Sequence, residues 1–427
     1  MKIGVIGAGY VGLSLAAVLA DKGNLVTCVD RDREKIEQIK MGESPLKEEG
    51  LDILVQENIE AERLKASSNE ENAIKDAKII FIAVNTPTEN GQIQLQNLKD
   101  AVKTATNYMT DNYPVLAIKS TLTPGSTRKE ILPLLQENGM EPGEDCGVCV
   151  NPEFLSQGTA IQDVREPDRI VIGELDEKSG ELLSRLYSDF ESPVIRESME
   201  TAEMIKYASN SLLATKISFI NEIGNLCKEL DVDIYDVAEG VGMDSRISRE
   251  FLDSGTGFGG SCLEKDIEAL ISLMKNRGIE GSVLEAIMSV NESQKVKPVE
   301  ILEERIGSLE GKRIGILGLS FKPGTADVTN SPAIDIINQL INRGAEVTAY
   351  DPEANENMKK IYGDIEYSET YTEVLEGSDA AILVTDWEEF NNIDRGDLKK
   401  MSNPLLIEGR KIDHNAPEKF TEGVTWP

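Results

Sequence analysis

A glycine-rich segment in the middle of the chain ends at a cysteine and then becomes a helical pattern. Gly255-Thr256-Gly257-Phe258-Gly259-Gly260 leads into Ser261-Cys262, and the helical pattern continues to Lys275. A cysteine at a helix N-terminus lies at the positive end of the helix dipole, which favours the thiolate and lowers the thiol pKa from about 8.5. Lys265 and Asp266 follow one turn later. The spacing predicts a nucleophilic cysteine with a cation and a carboxylate nearby; the alternative is a buried structural cysteine.

A second glycine pattern stands at the N-terminus, between two apolar runs. Lys2 to Ile6 is followed by Gly7-Ala8-Gly9-Tyr10-Val11-Gly12 and a helical stretch, and the next apolar run ends at Asp30. The three glycines provide a tight turn, room for a pyrophosphate and close helix–strand packing. A carboxylate at the end of the second strand binds ribose hydroxyls and repels a 2′-phosphate. NAD is therefore favoured over NADP, although two nearby arginines weaken that preference; the alternative is a glycine-rich turn without a ligand.

Further strands and polar loops complete the N-terminal half. Apolar runs predict strands at Lys78–Val84, Val115–Ser120, Val148–Val150 and Ile170–Gly173, with helical segments between most of them. This alternation predicts a doubly wound sheet. Ligands bind at the carboxyl ends of such strands, where Asn85-Thr86-Pro87-Thr88 and Ser120-Thr121-Leu122-Thr123-Pro124-Gly125 are found.

The centre of the chain carries one long helical pattern, from Ser198 to about Asp231. Its length indicates a spine between domains rather than a surface helix. Lys206 and Asn210 are four residues apart and share one face of it. Taken alone, these two residue types favour a solvated helix face.

A second α/β unit occupies the C-terminal part. Strands are predicted at Lys312–Leu319, Glu346–Asp351 and Ala380–Thr385, with a helix at Ala333–Asn342. The turn after the first of these strands, Gly318 to Gly324, lacks the Gly-x-Gly-x-x-Gly spacing, so a second dinucleotide site is not expected. Lys322 on this turn is a candidate phosphate contact; its alternative is a solvated surface lysine.

Composition excludes several classes of protein. The chain has 427 residues, a formal charge of −32, one histidine and five cysteines. This acidity opposes binding to nucleic acid or to anionic membranes. No apolar run approaches a membrane span, and the N-terminus leaves no room for a signal peptide. Five cysteines are too few for a disulfide scaffold, so we expect a reducing cytoplasm, and a single histidine makes a histidine-rich metal site nearly impossible. Cys146 and Cys149 form a CxxC motif that fits a buried strand better than a redox helix, and Cys28 and Cys227 are expected in the core.

Together the motifs resemble those of a known family. In chain order they are Gly7 to Gly12, Val84-Asn85-Thr86-Pro87-Thr88, Ser120-Thr121, Asn151-Pro152-Glu153-Phe154-Leu155, Lys206 with Asn210, Gly257 to Cys262, Phe321-Lys322-Pro323 and Gly409-Arg410. They resemble the UDP-glucose/GDP-mannose dehydrogenase family over nearly the whole chain. The resemblance implies two Rossmann-like doubly wound domains joined by a helical central domain with a long spine helix. Its domains would be an NAD-binding domain at 1–197, a dimerisation domain with catalytic residues at 198–300 and a nucleotide-sugar-binding domain at 301–427.

The resemblance also implies the chemistry, a four-electron oxidation of a primary alcohol to a carboxylate by two NAD in turn. Cys262 would attack the intermediate aldehyde to give a thiohemiacetal, whose oxidation yields a thioester that water hydrolyses. Lys206, or a water held by Asp266, would take the hydroxyl proton. Lys206 and Asn210 would stabilise oxyanions, and Glu153, Thr121 and Asp266 are candidates to activate the water. The implied catalytic set is Cys262, Lys206, Asn210, Asp266, Glu153 and Thr121.

Two binding sets follow from the same resemblance. The cofactor set is Gly7, Gly9, Tyr10, Val11, Gly12, Asp30, Lys35, Thr86, Pro87, Thr88, Ser120, Thr121, Gln157 and Lys265. The substrate set is Glu153, Phe154, Leu155, Lys206, Asn210, Arg246, Phe251, Gly255, Gly259, Phe321, Lys322 and Arg410. The neighbouring subunit would supply Arg246, which implies a homodimer built on the long helix.

Some positions depart from the family pattern. Gln157 replaces a family glutamate that contacts the cofactor, Glu264 replaces a proline after the cysteine, and Ala326 and Thr329 replace an aspartate and an arginine. The form of Asn151 to Leu155 and of Pro167 to Gly173 favours UDP-glucose as the substrate. GDP-mannose or a UDP-N-acetylhexosamine is the alternative. A single-step hydroxyacid dehydrogenase and a non-catalytic nucleotide-sugar sensor are the other readings.

Overall fold

The computed structural model describes residues 1–89, 91–110 and 112–427, which divide into one unit at 1–209 and another at 210–427. The first unit is built on an eight-stranded sheet with strand order β10-β9-β8-β7-β4-β1-β2-β3. The strands of this unit are β1 Lys2–Ile6, β2 Leu25–Val29, β3 Leu64–Ser67, β4 Ile79–Ile82, β5 Thr88–Glu89, β6 Gln92–Ile93, β7 Val115–Ile118, β8 Gly147–Val150, β9 Ile170–Glu174 and β10 Val194–Ser198.

Most neighbours in this sheet are parallel, so the carboxyl ends of β1, β2, β4 and β7 lie at one edge. β9 pairs antiparallel with β8, and β10 is parallel to β9. The last two strands therefore run against the rest of the sheet. β1 and β4 are almost entirely buried apolar residues, as expected of strands covered on both faces.

Helices flank the first sheet and begin at recognisable signals. They are α1 Tyr10–Asp21, α2 Arg33–Lys40, α3 Leu51–Glu60, α4 Glu71–Ile74, α5 Gln96–Tyr108, α6 Leu132–Glu137, α7 Ala160–Arg165 and α8 Glu177–Leu186. Asp32 caps α2 by accepting bonds from the N–H groups of Glu34 and Lys35. The next helix, α9 Met199–Glu229, contains the last residues of the first unit and the first of the second.

The second unit contains helices followed by a six-stranded parallel sheet. Its helices are α10 Ile234–Gly242, α11 Leu263–Lys275, α12 Ser282–Ile306, α13 Pro332–Asn342, α14 Asn355–Lys359, α15 Tyr371–Leu375 and α16 Arg395–Leu398. Its strands are β11 Arg313–Leu317, β12 Glu346–Tyr350, β13 Glu366–Tyr367, β14 Ala380–Leu383, β15 Leu406–Glu408 and β16 Thr421–Gly423. The order is β13-β12-β11-β14-β15-β16.

The predicted fold class is confirmed, while several predicted boundaries are too long. The predicted strand Lys312–Leu319 is only Arg313–Leu317, because Gly318 has a positive φ of 89° and ends the extended conformation. The predicted spine begins at Met199 because Ser198 is still paired in β10. It ends at Glu229, two residues before Asp231 with its φ of 55°. Within the described residues, no helix has the length and apolar character needed to span a bilayer.

Candidate active site

The N-terminal glycines form a cradle beside a cavity of about 250 Å³. Gly9 caps α1, so the free N–H groups of that helix point to this edge of the sheet. The Asp30 carboxylate accepts bonds from the N–H groups of Ala8 at 2.7 Å and Asp32 at 2.9 Å. The cavity is lined by Gly7, Gly9, Asp30 and Lys35 from the predicted cofactor set, together with Ile6, Val29, Arg31, Glu70, Ala83, Val84, Asn85, Asn97, Ala101 and Thr104.

Glycine is needed at Gly7, Gly9 and Gly12 for different structural reasons. Gly7 has a φ of 107°, and a methyl group on it would lie 2.3 Å from the Ala83 carbonyl oxygen. A methyl group on Gly12 would lie 1.9 Å from the Gly7 carbonyl oxygen. A methyl group on Gly9 would meet no atom within 4 Å. Folding therefore requires Gly7 and Gly12, whereas Gly9 leaves open space for the pyrophosphate that the motif predicts.

The two predicted polar loops meet at the carboxyl edge of the first sheet. Thr86 donates its hydroxyl hydrogen bond to the Thr121 carbonyl oxygen at 3.0 Å, and Ser120 donates to Val84 at 2.7 Å. Pro87 accepts a bond from the N–H of Gln94, and Thr88 begins the short β5–β6 hairpin. The structure thus brings together Thr86, Ser120 and Thr121, which the sequence placed on separate loops.

Glu153 and Lys206 form a buried ion pair in the first unit. The Lys206 Nζ lies 2.8 Å from Glu153 Oε1, and both side chains are at most 10% exposed. Burial alone would raise the pKa of Glu153, but the Lys206 ammonium outweighs it and lowers that pKa below its ordinary value. The Glu153 carboxylate also accepts the Leu155 N–H at 2.6 Å. The solvated-face reading of Lys206 and Asn210 is wrong, because both side chains are buried.

Phe154 lies next to this pair, and other residues of the predicted sets lie on the loop after it and on α1. The Phe154 ring has the Arg169 guanidinium 4.0 Å and the Lys206 ammonium 5.6 Å from its centre. Gln157 is half-buried in the turn before α7, and Tyr10 and Val11 begin α1. Sequence reasoning missed Lys119, which lines a cavity with Glu153 and Phe154. Its signal was its place directly before the Ser120-Thr121 motif.

In the second unit, Cys262 stands at the N-terminus of α11, as predicted. It is the N-cap residue of that helix and is exposed. Asp266, one turn later, is 1% exposed and accepts bonds from Asn210 Nδ2 at 2.6 Å and Lys265 Nζ at 2.5 Å. Because its two oxygens have separate donors, the carboxylate is fixed in one orientation. The structural-cysteine alternative is not favoured for an exposed thiol at a helix start.

The glycine segment before Cys262 closely approaches the protein's own chain. Methyl groups would lie 2.2 Å from the Gly409 carbonyl oxygen at Gly255 and 2.2 Å from the Asn330 carbonyl oxygen at Gly259. Gly257 has a φ of 84°, and its methyl group would lie 2.5 Å from Asn291 Oδ1. Gly255 and Gly259 belong to the implied substrate set, but tight internal packing by itself explains why glycine stands at these three positions.

Side chains of α12 hold this segment in place. Asn291 accepts the Phe258 N–H at 2.8 Å and donates to its carbonyl oxygen, and Gln294 donates to the Gly255 carbonyl oxygen at 2.7 Å. Glu264, beside the cysteine, forms a buried pair with Lys295 at 2.6 Å. Burial alone would lower the pKa of Lys295, but Glu264 outweighs it and raises that pKa. This polar contact stands where the family pattern has proline, and sequence reasoning missed it.

The predicted nucleotide-sugar contacts divide into two groups. Phe321 packs against Gly260, with Lys322 Nζ 5.9 Å from its ring centre, and Arg410 donates to the Gly257 carbonyl oxygen. These residues surround the glycine segment. Arg246 is highly exposed and pairs with its neighbour Asp244 at 2.6 Å. Phe251 is also exposed, and has a φ of 63°.

The remaining cysteines are structural. Cys146 and Cys149 are buried, and burial raises the pKa of each thiol to about 12. Cys149 lies within the buried strand β8 and not at a helix start, as the structural interpretation of the CxxC motif predicted. Cys28 and Cys227 are buried as predicted.

Three family models match consecutive parts of the chain. All describe the UDP-glucose/GDP-mannose dehydrogenase family: its NAD binding domain at residues 1–191, its central domain at 200–293 and its UDP binding domain at 315–414.

Individual relatives match over nearly the full length. The UDP-glucose 6-dehydrogenase TuaD of Bacillus subtilis is 42% identical over 414 residues, covering 96% of this chain and 89% of the relative. The UDP-glucose 6-dehydrogenase AglM of Haloferax volcanii is 38% identical over 421 residues, covering 96% and 97%. The structure of a UDP-glucose dehydrogenase from the archaeon Pyrobaculum islandicum superposes with a TM-score of 0.93 at 34% identity, covering 100% and 98%.

Proposed function

Since the chain belongs to the UDP-glucose/GDP-mannose dehydrogenase family, we propose that it oxidises UDP-glucose to UDP-glucuronate. The predicted family, the NAD cofactor and the nucleotide-sugar dehydrogenase activity are confirmed by the matches. The choice of UDP-glucose is supported by relatives of 37–42% identity that are named for this substrate. The proposed chemistry rests on the exposure of the Cys262 thiol. All five cysteines lie in the described part of the chain, and the other four are buried.

The proposed route has two oxidations and a hydrolysis. The primary alcohol would first lose a proton and a hydride, the hydride passing to bound NAD, to become the aldehyde, and the Cys262 thiolate would add to the aldehyde carbon. The resulting thiohemiacetal would lose hydride to a second NAD to become a thioester, and water would then release the carboxylate and restore the thiol. Lys206 and Asn210 donate hydrogen bonds to the developing oxyanions, and Thr121 assists at the water. Glu153 is suited to activate that water because its lowered pKa keeps it ionised. Asp266, fixed by Asn210 and Lys265, holds the water that takes the first hydroxyl proton.

The cofactor site proposed here is the cradle of the first unit. Gly7, Gly9 and Gly12 with the N-terminal N–H groups of α1 would bind the pyrophosphate, and Asp30 would bind the ribose hydroxyls. NAD held by these residues would supply the hydride acceptor. Sequence position and resemblance add the rest of the proposed set: Tyr10, Val11, Lys35, Thr86, Pro87, Thr88, Ser120, Thr121, Gln157 and Lys265.

The nucleotide sugar is proposed to bind residues at two places in the sequence. Lys322 and Arg410 would neutralise the diphosphate, and Phe321 would pack against the ligand. The other proposed members are Glu153, Phe154, Leu155, Lys206, Asn210, Phe251, Gly255 and Gly259. The three-domain division at 1–197, 198–300 and 301–427 and a cytoplasmic location belong to the same proposal. None of the five cysteines, all of which lie in described residues, forms a disulfide, which fits a reducing compartment.

A homodimer built on α9 is also proposed. Leu212, Phe219 and Leu226 are spaced by seven residues and are all more than half exposed. Such an apolar stripe on a long helix is typical of a face that a second copy covers. Arg246 is highly exposed and would then complete the substrate site of the partner. We expect F219R to be monomeric in sedimentation and to lose activity, whereas an active monomer would contradict this assembly.

The substrate is tested by a panel of UDP- and GDP-sugars assayed with NAD under identical conditions. We expect the highest kcat/KM for UDP-glucose. A higher value for GDP-mannose or a UDP-N-acetylhexosamine would contradict the substrate while preserving the family chemistry.

The nucleophile is tested by C262S. A single-step hydroxyacid dehydrogenase would not need this thiol and would keep its activity. We expect C262S to lose steady-state turnover by about 100-fold or more, because a serine hydroxyl is a far weaker nucleophile. C146S is the matched control and should retain activity, since its buried thiol has no proposed role. Unimpaired NADH release by C262S would contradict the mechanism.

A further inference from the structure

Lys119 is a lysine of the first unit to which the proposed mechanism gives no role. It follows β7 and directly precedes Ser120. Its side chain is half-buried, and its Nζ donates to Asn151 Oδ1 at 3.1 Å and to the Pro152 carbonyl oxygen at 3.4 Å. Both acceptors belong to the segment that ends in Glu153. The ammonium therefore connects the Ser120-Thr121 loop to the backbone that carries the catalytic carboxylate.

Asn151 is itself firmly held, so this connection is made to a fixed point. It is 1% exposed, donates through Nδ2 to the Val171 carbonyl oxygen at 2.7 Å and accepts the Tyr187 hydroxyl at 2.6 Å. Its side-chain oxygen thus has two donors, Tyr187 and Lys119. Removing one donor from a buried carbonyl oxygen loosens the group without replacing the lost interaction.

The charges around Lys119 are unusual. Burial lowers its pKa to about 8, the Glu153 carboxylate partly opposes this shift, and the Lys206 ammonium adds to it. Lys119 also contributes to lowering the pKa of Glu153. Glu153 is therefore one carboxylate under the influence of two ammonium groups. The other titratable or charged residues that line the same cavity are Asp163, Glu166, Asp168, Arg169 and Tyr187.

We propose that Lys119 is a positioning residue for the reaction, which fixes the Asn151–Pro152–Glu153 segment and holds Glu153 in its ionised form beside Lys206. This inference rests on the proposed function, because it assumes that Glu153 acts as a carboxylate. Its consequence is that Lys119 governs the acid side of the activity profile without touching the substrate. A lysine that only stabilised the fold would change the amount of folded enzyme and leave that profile in place.

The test compares kcat against pH for four variants of the full-length enzyme. K119M and K119Q remove the charge, and K119Q keeps a hydrogen-bond donor for Asn151. K119R keeps the charge. K99M is the matched control, because Lys99 pairs with Glu130 at 2.6 Å in the same unit and has no contact to Glu153 in the described structure. All variants are assayed with the nucleotide sugar that the wild type oxidises fastest.

We expect K119M and K119Q to lower kcat by about tenfold or more near neutral pH with little change in KM, and to move the acid limb to higher pH. The limb moves upward because Glu153 binds its proton more readily once a neighbouring cation is gone. K119R and K99M should keep the wild-type limb. K119Q retains the hydrogen bond, so it keeps the test decisive if K119M does not fold.

The contradicting results separate two failures. If the wild-type enzyme fails to reduce NAD with every nucleotide sugar of the panel, the proposed function is contradicted and, with it, the role of Lys119. An active wild type whose acid limb is unmoved in K119M or K119Q would overturn the role of Lys119 alone. A limb that moves in K119R as far as in the uncharged variants would overturn it as well.

Discussion

The two large sheets share the strand arrangement around their first strand, and in each an aspartate follows the second strand, but the two aspartates serve opposite purposes. In the first unit Asp30 directly follows β2, and in the second Asp351 directly follows β12. Asp30 accepts two backbone N–H bonds and lines an open cavity. Asp351 is 2% exposed, and its carboxylate accepts bonds from Leu319 N, Ser320 N, Ser320 Oγ, Glu353 N, Ala354 N and Trp387 Nε1.

The difference shows that a Rossmann-like sheet does not by itself make a dinucleotide site. The turn after β1 leaves empty space beside Gly9. In the turn after β11, Gly318 is followed by Leu319 and Ser320, which are both fully buried. Those residues and Trp387 saturate the acidic group that would otherwise bind a ribose. The sequence-based expectation of one dinucleotide site thus acquires a structural reason: the second site is filled by the protein itself.

The largest expected effect comes from replacing each of the two aspartates by alanine. D351A should lower the free energy of unfolding by about 3 kcal/mol or more, since it leaves several buried donors without an acceptor. D30A should change stability much less and raise the KM for NAD by about tenfold, because it removes the ribose contact. Urea unfolding and NAD titration of both variants measure this. Similar stability losses in D30A and D351A would contradict the proposed difference between the two aspartates.

Gly9 tests the open space directly. The backbone of Gly9 has a φ of −81°, which alanine adopts readily, and its methyl group would meet no protein atom. We expect G9A to fold with nearly unchanged stability but to lower kcat/KM for NAD by about 100-fold, or about 3 kcal/mol, by blocking the pyrophosphate. G12A is the contrasting variant, which should unfold more easily because its methyl group collides with Gly7. Normal use of NAD by G9A would place the cofactor elsewhere.

The smallest expected effect concerns His414, which contacts the carboxyl end of β15 in the second sheet. Its Nε2 hydrogen-bonds the buried Glu408 at the end of β15. That bond raises the pKa of His414, so its stabilising contribution is complete below the unfolded pKa of about 6.5 and is lost as pH rises through the folded value. We expect H414Q to lose about 1 kcal/mol near pH 6 and less at pH 9, measured by urea unfolding. An equal loss at both values would show that the histidine acts without its charge.

Short-range patterns predicted the glycine turn before α1 and the helix after Cys262 correctly. The glycine spacing, the capping position of Cys262 and the apolar strands are encoded within a few residues of each other, so the sequence specifies them locally. Buried Lys206 and Asn210 were the exception, because their residue types alone favoured a solvated face. The residue-specific catalytic and binding roles stay predictions that the proposed variants address.

What the sequence did not predict depends on contacts between distant positions. Lys119 bonds a residue 32 positions away, Lys295 bonds Glu264 over 31 positions, and Trp387 bonds Asp351 over 36. No local spacing announces such pairs. The glycines before Cys262 illustrate the same limit, since their collisions would be with Asn291, Asn330 and Gly409.

In the proposed mechanism one enzyme performs both oxidations through Cys262, and the yield of NADH per nucleotide sugar tests this mechanism most directly. Limiting UDP-glucose is converted to completion with excess NAD, and the NADH formed is measured by its absorbance. We expect two NADH for each UDP-glucose consumed, with UDP-glucuronate as the product. One NADH per sugar, with an aldehyde as the product, would contradict it.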